Sequence, residues 1–277
     1  MSARPRPRRW LRWPTRASRR RWLRRLRRVP PAARVLLGVL LAAGAALAIN
    51  GIYQVARKPT ELFFPVSGVL AKTPADTWHE YGPAFRRYAT PAIPPELLAA
   101  LAQVEGAGNP LVRTYWRWEW AVKPFELYRP ASSAVGMYQI TDGTFAEARH
   151  YCIHHHALAQ EGRWNDWRSC WFNGLYLRVV PRDAIELTAA YLDLKVNAIL
   201  AQNPRHAASP LQREHLAAVV HLCGAGAAAS YARRGFRFVD GERCGAHDPR
   251  EYLRRVDEMR AMFVRLAQEE DSAGGAQ

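Results

Sequence analysis

The chain has 277 residues and a formal charge of +16 at pH 7, with a sequence pI near 10.4. Such a charge ordinarily suggests a nucleic-acid partner, but fourteen Arg and no acidic residue lie within residues 1–34. The remaining residues carry 40 minus 14, or 26, basic side chains against 24 acidic ones, so they are nearly neutral. The basicity is a property of the N-terminal tail and does not predict a specific nucleic-acid-binding domain.

An uncharged apolar stretch of 22 residues, Val35 to Ala56, follows the tail. About 20 apolar residues are enough to cross a bilayer as a helix. Because positive residues on the N-terminal side favour a cytoplasmic N-terminus, residues 1–34 and 35–56 predict a single-pass signal-anchor. A signal peptide cleaved near Ala46-Leu47-Ala48 is the alternative.

The rest of the chain predicts one folded domain with two loose flanks. Five prolines punctuate residues 57–92, which favours a tether leading from the membrane segment. Residues 93–268 are long enough to bury a core of their own. Residues 269–277 predict a flexible tail.

A short helix is predicted over residues 96–105, between Pro94-Pro95 and Gly106. Glu105 lies on its apolar stripe, which also holds Leu98, Leu101 and Ala102. Partial withdrawal from water favours the protonated form of a carboxyl, and that form is the one a general acid needs. The competing interpretation is a buried Glu that hydrogen-bonds the following loop.

An aromatic segment follows, in which Trp residues alternate with charged residues as in a strand. Its aromatic residues are Tyr115, Trp116, Trp118, Trp120, Phe125 and Tyr128. Flat rings suit the C–H faces of sugars, so Trp116 and Trp118 are candidate glycan contacts. The alternatives are the buried side of a short strand and a docking surface for a partner protein.

The four cysteines all follow the apolar stretch. An even count on the exported side predicts two disulfides, for which three pairings are possible. We favour Cys152 with Cys170 and Cys223 with Cys244, because both pairs close modest loops. A metal site built from Cys152, Cys170 and His154 to His156 is the alternative, but its spacing matches no recognised zinc pattern. We therefore expect neither a metal nor a cofactor.

Helical apolar spacing covers residues 183–202 and 211–222, and the second of these carries His221. A further helix begins at Asp248-Pro249-Arg250-Glu251, which has the form of a capping box, and it carries Tyr252. On an apolar helix, core packing is the competing interpretation for both residues. The chain is therefore predicted to be mainly α.

Four segments, taken in order, resemble the pattern of the lytic transglycosylase family, whose soluble-type catalytic domain belongs to the lysozyme superfamily. They are Glu105 with Asn109-Pro110, Ser132-Ser133-Ala134-Val135-Gly136-Met137-Tyr138-Gln139-Ile140 with Thr144, Cys223-Gly224-Ala225-Gly226, and Tyr252-Leu253-Arg254-Arg255-Val256. The resemblance covers roughly residues 93 to 265. His221 and Leu222 depart from the pattern, since the family has Tyr and Asn there.

This resemblance implies a lysozyme-like helical domain with an aromatic insertion, placed in the periplasm by an anchor in a bacterial inner membrane. It implies that Glu105 is the general acid and base that cleaves peptidoglycan glycan strands with formation of anhydro-muramyl ends. The implied substrate-binding residues are Ser132, Ser133, Met137, Tyr138, Gln139, His221 and Tyr252, beside the candidate contacts Trp116 and Trp118.

Two alternatives to this activity stay open. A second carboxylate beside Glu105 would favour a lysozyme-like hydrolase, and the candidates are Glu119, Glu126, Asp142 and Glu147. A non-catalytic glycan-binding module that recruits a secretion or division partner is the other, and the departures at His221 and Leu222 favour it.

Overall fold

The computed structural model describes residues 29–63, 68–119, 125–163, 165–203 and 207–274. Over these residues the chain is mainly helical, as the sequence predicts. The helices are α1 (Pro31–Arg57), α2 (Pro74–Tyr88), α3 (Pro95–Gly106), α4 (Asp142–Ala148), α5 (Pro181–Ala201), α6 (Pro210–Arg233) and α7 (Pro249–Gly274). The strands are β1 (Trp116–Trp118), β2 (Tyr128–Pro130), β3 (Tyr151–His154) and β4 (Ala157–Gln160).

The chain divides into two compact units. One contains residues 29–53, 119 and 125–128 of the described chain, and the other contains the described parts of 54–118 and 129–277. In the first unit the Asn50 side chain donates to the Tyr128 carbonyl at 2.6 Å, and the rings of Tyr53 and Phe125 lie 5.4 Å apart. The Arg-rich tail up to residue 28 and Trp120 of the aromatic segment lie outside the described residues.

Helix α1 is long and apolar enough to cross a membrane, with a mean hydropathy of 2.3 and only 6% of its apolar window buried. Its large apolar side chains face outward, among them Val35, Leu36, Leu40 and Leu41. Helix α6 passes the same test of length and composition, but 44% of its window is buried and it packs against α5. We therefore assign α6 to the protein core, whereas α1 has the length and composition that a membrane-spanning helix needs.

The core of the second unit lies between α2, α3, α5, α6 and α7, with α3 packed against α7 and α2. Fully buried side chains of this core include Phe85 from α2, Leu98 from α3, Leu192 from α5, Leu216 from α6 and Phe263 from α7. Two small antiparallel pairs of strands, β1–β2 and β3–β4, accompany the helices.

Both flanks of the domain differ from prediction. The region predicted as a tether contains α2, whose buried face includes Trp78 and Phe85. Pro74 lies in the first turn of this helix, where a backbone N–H would have no partner within the helix, so its missing N–H costs no hydrogen bond. Thr73 and Asp76 form a capping box, and this proline therefore marks the start of a helix instead of a tether.

The predicted C-terminal tail is also ordered, because α7 continues to Gly274. The carboxylate of Glu270 accepts from the Trp78 indole at 3.0 Å and from the Arg86 guanidinium at 3.0 and 3.1 Å. Residues 275–277 lie outside the described chain.

The two predicted disulfides are confirmed: Cys152 pairs with Cys170, and Cys223 pairs with Cys244. The first closes a sequence separation of 18 residues and the second one of 21. Both disulfides lie in the second unit. Each one stabilises the folded state, because it restricts the conformations of the unfolded chain.

Gly106 should tolerate no side chain. A Cβ at this position would lie 2.8 Å from both Cα and the carbonyl oxygen of Met137, and backbone cannot move aside as a flexible side chain can. We predict that Gly106→Ala destabilises the domain by about 1–3 kcal/mol and lowers its melting temperature, as measured by circular dichroism.

Gly143 provides the matched control, because a Cβ there meets nothing within 4 Å and the residue lies inside α4. Gly143→Ala should be neutral or slightly stabilising, since Ala is favoured over Gly in a helix by roughly 0.5–1 kcal/mol. Equal melting temperatures for the two variants would contradict the close approach at Gly106.

Candidate functional site

Glu105 occupies the last turn of α3, where the helix ends through Gly106 and Ala107. Ala107 adopts the left-handed region with φ 48°, and its N–H bonds back to the carbonyls of Ala102 and Gln103. The Glu105 side chain is 19% exposed, so it is half-withdrawn from water while the rest of its stripe is buried. The carboxyl thus sits at the open edge of an otherwise apolar helix face.

Tyr252 is the direct partner of this carboxyl. Its hydroxyl donates to Oε1 of Glu105 at 2.6 Å, a contact that joins residues 147 positions apart. Tyr252 is only 2% exposed, and burial, with the adjacent Glu105 charge, raises its pKa well above the usual range. The phenol therefore stays protonated at neutral pH and remains a hydrogen-bond donor.

His221 faces the same carboxyl oxygen from α6. Its Nε2 lies 3.7 Å from Oε1 of Glu105, which is close enough for an ion pair but beyond a direct hydrogen bond. The imidazole also meets the Tyr138 ring edge-on, with 6.4 Å between the ring centroids. The structure therefore brings together three predicted residues, Glu105, His221 and Tyr252.

Helix α6 is kinked just after His221, because Gly224 has the non-helical angles φ 78° and ψ 168°. Cys223 lies at this kink, and its disulfide to Cys244 ties α6 to the loop that precedes α7. The disulfide therefore links the helix that carries His221 to the loop that leads into the helix of Tyr252.

Gln139 lies in a tight turn before α4 and has a positive φ of 47°. Its amide nitrogen donates to the Gly136 carbonyl at 2.9 Å and to the Val112 carbonyl at 3.4 Å. These bonds brace the loop. Gln139 nevertheless also lines a small pocket together with His221.

This pocket has a hydroxyl-bearing wall that the sequence prediction missed. Its polar lining residues are Gln139, Thr141, Thr144, Thr188, Tyr191 and His221. Among the described residues, the buried hydroxyl of Thr188 has no hydrogen-bond partner, so it can bond a ligand that enters the pocket. In the sequence, the feature that could have indicated Thr188 is its hydroxyl among the buried apolar residues of α5, next to Leu187.

Met137 and Tyr138 differ from their predicted place in the substrate site. Both side chains are fully buried, and the Tyr138 hydroxyl donates to the Leu98 carbonyl at 3.0 Å. The Met137 backbone also lies close to Gly106, where a Cβ would come within 2.8 Å of it. The structure thus assigns them to packing.

Ser132 and Ser133 line a different pocket, together with Arg57, Lys58, Arg129 and Arg178. The Ser132 hydroxyl accepts from the Ala134 N–H at 3.1 Å, and the Ser133 hydroxyl accepts from the Asp142 N–H at 3.1 Å. Both hydroxyls therefore brace the loop and the start of α4, and Glu105 does not line this pocket.

The two tryptophan candidates lie on β1 with different environments. The Trp116 indole donates to the buried Glu61 carboxylate at 2.7 Å, and Glu61 also pairs with Arg113 at 3.0 Å. Trp118 is 62% exposed. Neither lines the pocket of Gln139 and His221.

The alternative metal site does not fit the structure. The atoms of Cys152, His154 and Cys170 lie within 4.8 Å of one another, but the two cysteines form a disulfide and offer no thiolate. His154, His155 and His156 instead line a polar cavity with Arg87 and Arg182.

The other carboxylates considered as second catalytic groups have partners of their own. Asp142 pairs with Arg178 at 2.8 Å, and Glu147 pairs with Lys195. Glu119 and Glu126 belong to the first compact unit, whereas Glu105 belongs to the second.

Among known proteins, no family model and no curated protein matches this chain.

The assignment of Tyr138 to packing can be tested by Tyr138→Phe. The variant should lose about 0.5–1.5 kcal/mol of unfolding free energy, since a buried neutral hydrogen bond disappears. Urea unfolding measures this loss, and an unchanged unfolding free energy would contradict the packing role of the buried Tyr138 hydroxyl.

Proposed function

We propose that this protein is a membrane-anchored lytic transglycosylase that cleaves peptidoglycan between N-acetylmuramic acid and N-acetylglucosamine. The proposal includes a lysozyme-like fold for the helical domain. The observation that carries it is the half-buried Glu105 carboxyl held by the Tyr252 hydroxyl at 2.6 Å. The order of the sequence motifs around these two residues agrees with the family pattern.

In the proposed reaction one carboxyl performs both proton transfers. Protonated Glu105 gives its proton to the glycosidic oxygen that leaves C1 of N-acetylmuramic acid. The resulting carboxylate then removes the proton from the C6 hydroxyl of that sugar, and the C6 oxygen bonds to C1. The products are a free N-acetylglucosamine hydroxyl and a 1,6-anhydro-muramyl end, with Glu105 protonated again.

This scheme differs from the usual glycosidase arrangement, which needs a second carboxylate as nucleophile or as base for water. The ion pairs of Asp142 and Glu147 support the one-carboxyl scheme, because each already has a basic partner. Tyr252 supports it too, since a phenol that stays protonated stabilises the carboxylate present after the first proton transfer.

The pocket beside Gln139 supports a carbohydrate substrate. Hydroxyl, amide and apolar side chains together line it, which suits the hydroxyl and acetamido groups of an amino sugar. The buried hydroxyl of Thr188 favours a ligand that supplies its missing hydrogen bond.

The proposed location is the periplasmic face of a bacterial inner membrane. Helix α1 is apolar enough to serve as the single-pass anchor, and the Arg-rich tail before it favours a cytoplasmic N-terminus. The two disulfides suit an oxidising compartment.

Replacement of the acid tests the activity. Full-length Glu105→Gln should lose at least about 100-fold in cleavage rate, because general acid catalysis contributes typically 10²–10⁴-fold. The measurement is mass spectrometry of the fragments released from purified sacculi, in which the unaltered protein should produce anhydro-muramyl ends. Glu147→Gln, which removes a surface carboxylate of α4, is the matched control and should keep the activity.

Other products would contradict the transglycosylase. Reducing ends that disappear in Glu105→Gln would mean a lysozyme-like hydrolase. A folded protein that binds sacculi and releases no fragments would mean the glycan-binding module instead, with the exposed Tyr115 and Trp118 as the surface on which to look for a partner.

Tyr252→Phe separates positioning of the acid from substrate binding. Loss of a hydrogen bond to a charged group is worth about 1.5–3 kcal/mol, so we expect a cleavage rate roughly 10- to 100-fold lower. Sacculus binding and the rate at saturating substrate would be measured together, and binding should not change. An unchanged rate would show that the Glu105–Tyr252 bond serves folding alone.

A further inference from the structure

The small pocket of Gln139 and Thr188 lies next to the Glu105 carboxyl. His221 belongs to both places, since it lines the pocket and its Nε2 lies 3.7 Å from Oε1 of Glu105. The pocket volume is about 50 Å³, whereas a single water molecule needs only about 10–15 Å³. There is therefore room for about four non-hydrogen atoms.

Apolar side chains form one part of the wall. Ile140, Ala148 and Leu187 line the pocket, and all three are buried in the folded chain. A hydroxyl placed against them would leave water without gaining a hydrogen bond, whereas a methyl group would leave water favourably. This part of the wall therefore favours a methyl group.

The same pocket contains a hydrogen-bond donor that lacks an acceptor. Thr188 is 4% exposed, and among the described residues its hydroxyl has no hydrogen-bond partner. A buried polar group in this state costs free energy, and a bound acceptor would recover it. Thr188 therefore favours a ligand that brings a carbonyl oxygen to this position.

Gln139 supplies the complementary acceptor. Its amide nitrogen donates to the Gly136 and Val112 carbonyls at 2.9 and 3.4 Å, which fixes the orientation of the amide. Within the described chain, no donor bonds the side-chain oxygen of Gln139, and an amide oxygen has lone pairs that accept. The pocket thus offers a donor and an acceptor beside an apolar wall.

We infer that this pocket binds the N-acetyl group of the glycan and that Thr188 determines specificity for N-acetylated sugars. The methyl, carbonyl and N–H of an acetamido group match the apolar wall, the Thr188 hydroxyl and the Gln139 oxygen. A sugar hydroxyl or hydroxymethyl group fills less of the space and places a polar oxygen against the apolar wall. The inference rests on the glycan site contained in the proposed function.

The test is isothermal titration calorimetry of the full chain in a neutral detergent that has no sugar headgroup. The probes are the β-1,4-linked tetrasaccharides of N-acetylglucosamine and of glucose. Both are uncharged and share the linkage, but they carry an acetamido group and a hydroxyl, respectively, at C2. We expect the N-acetylated probe to bind at least about tenfold more tightly.

Thr188→Val removes the hydroxyl and nearly keeps the shape of the side chain. Its affinity for the N-acetylated probe should fall roughly tenfold, because the acetamido carbonyl then lacks a donor. The melting temperature of the ligand-free variant should rise by about 2–4 °C, since an unpaired buried hydroxyl is lost. Thr188→Ser retains a hydroxyl and should keep the preference for the N-acetylated probe.

Thr90→Val is the matched control. Thr90 is also buried, but its hydroxyl donates to Asp193 at 2.6 Å. This variant should melt at a lower temperature and, while folded, should keep the preference for the N-acetylated probe. The opposite shifts in melting temperature distinguish an unpaired hydroxyl from one that stabilises the fold.

Equal affinities for the two probes would overturn the inference, and so would an unchanged preference in Thr188→Val. A lower melting temperature of Thr188→Val would overturn it too, because the hydroxyl would then have a structural role. Binding is measured without cleavage, so selective binding by a protein that releases no fragments from sacculi would refute the enzyme and retain the pocket. Fragments released without selective binding would do the reverse.

Discussion

The last turn of α3 approaches the backbone of Met137 so closely that position 106 accepts only a glycine. This contact joins the helix that carries Glu105 to the loop that carries Gln139. The Met137 and Tyr138 side chains of this loop are fully buried in the core. The close approach at position 106 and the burial of Met137 and Tyr138 therefore lie in the same part of the core.

Helices α6 and α7 supply the two side chains that contact the Glu105 carboxyl, His221 and Tyr252. Helix α6 is kinked at Gly224, and the disulfide between Cys223 and Cys244 ties it to the loop that precedes α7. His221 and Tyr252 then converge on one oxygen of Glu105, at 3.7 and 2.6 Å. A half-withdrawn carboxyl with a buried phenol donor is an arrangement suited to proton transfer, because the donor persists while the carboxyl changes charge.

Gly136 lies in the loop that contributes Gln139 to one pocket and Ser132 to another. Gly136 has φ 79°, and a Cβ there would lie 2.2 Å from the Arg178 carbonyl oxygen. The Arg178 side chain returns to the same loop through the Ser133 and Ile140 carbonyls. The loop from Ser132 to Ile140 therefore has Gln139 lining one pocket and Ser132 lining the other.

Local patterns in the sequence determined much of this protein: the apolar helix α1, the helix α3 with a carboxyl on its apolar stripe, and both disulfide pairs. Periodicity and loop length are local properties, so they can be read without a fold. Pro74 shows the limit, since a proline that opens a core helix looks in sequence like a proline in a tether. Only the tertiary structure decided that Tyr252 bonds Glu105, that Tyr138 is buried and that Thr188 reaches the pocket, because these depend on packing between helices distant in the chain.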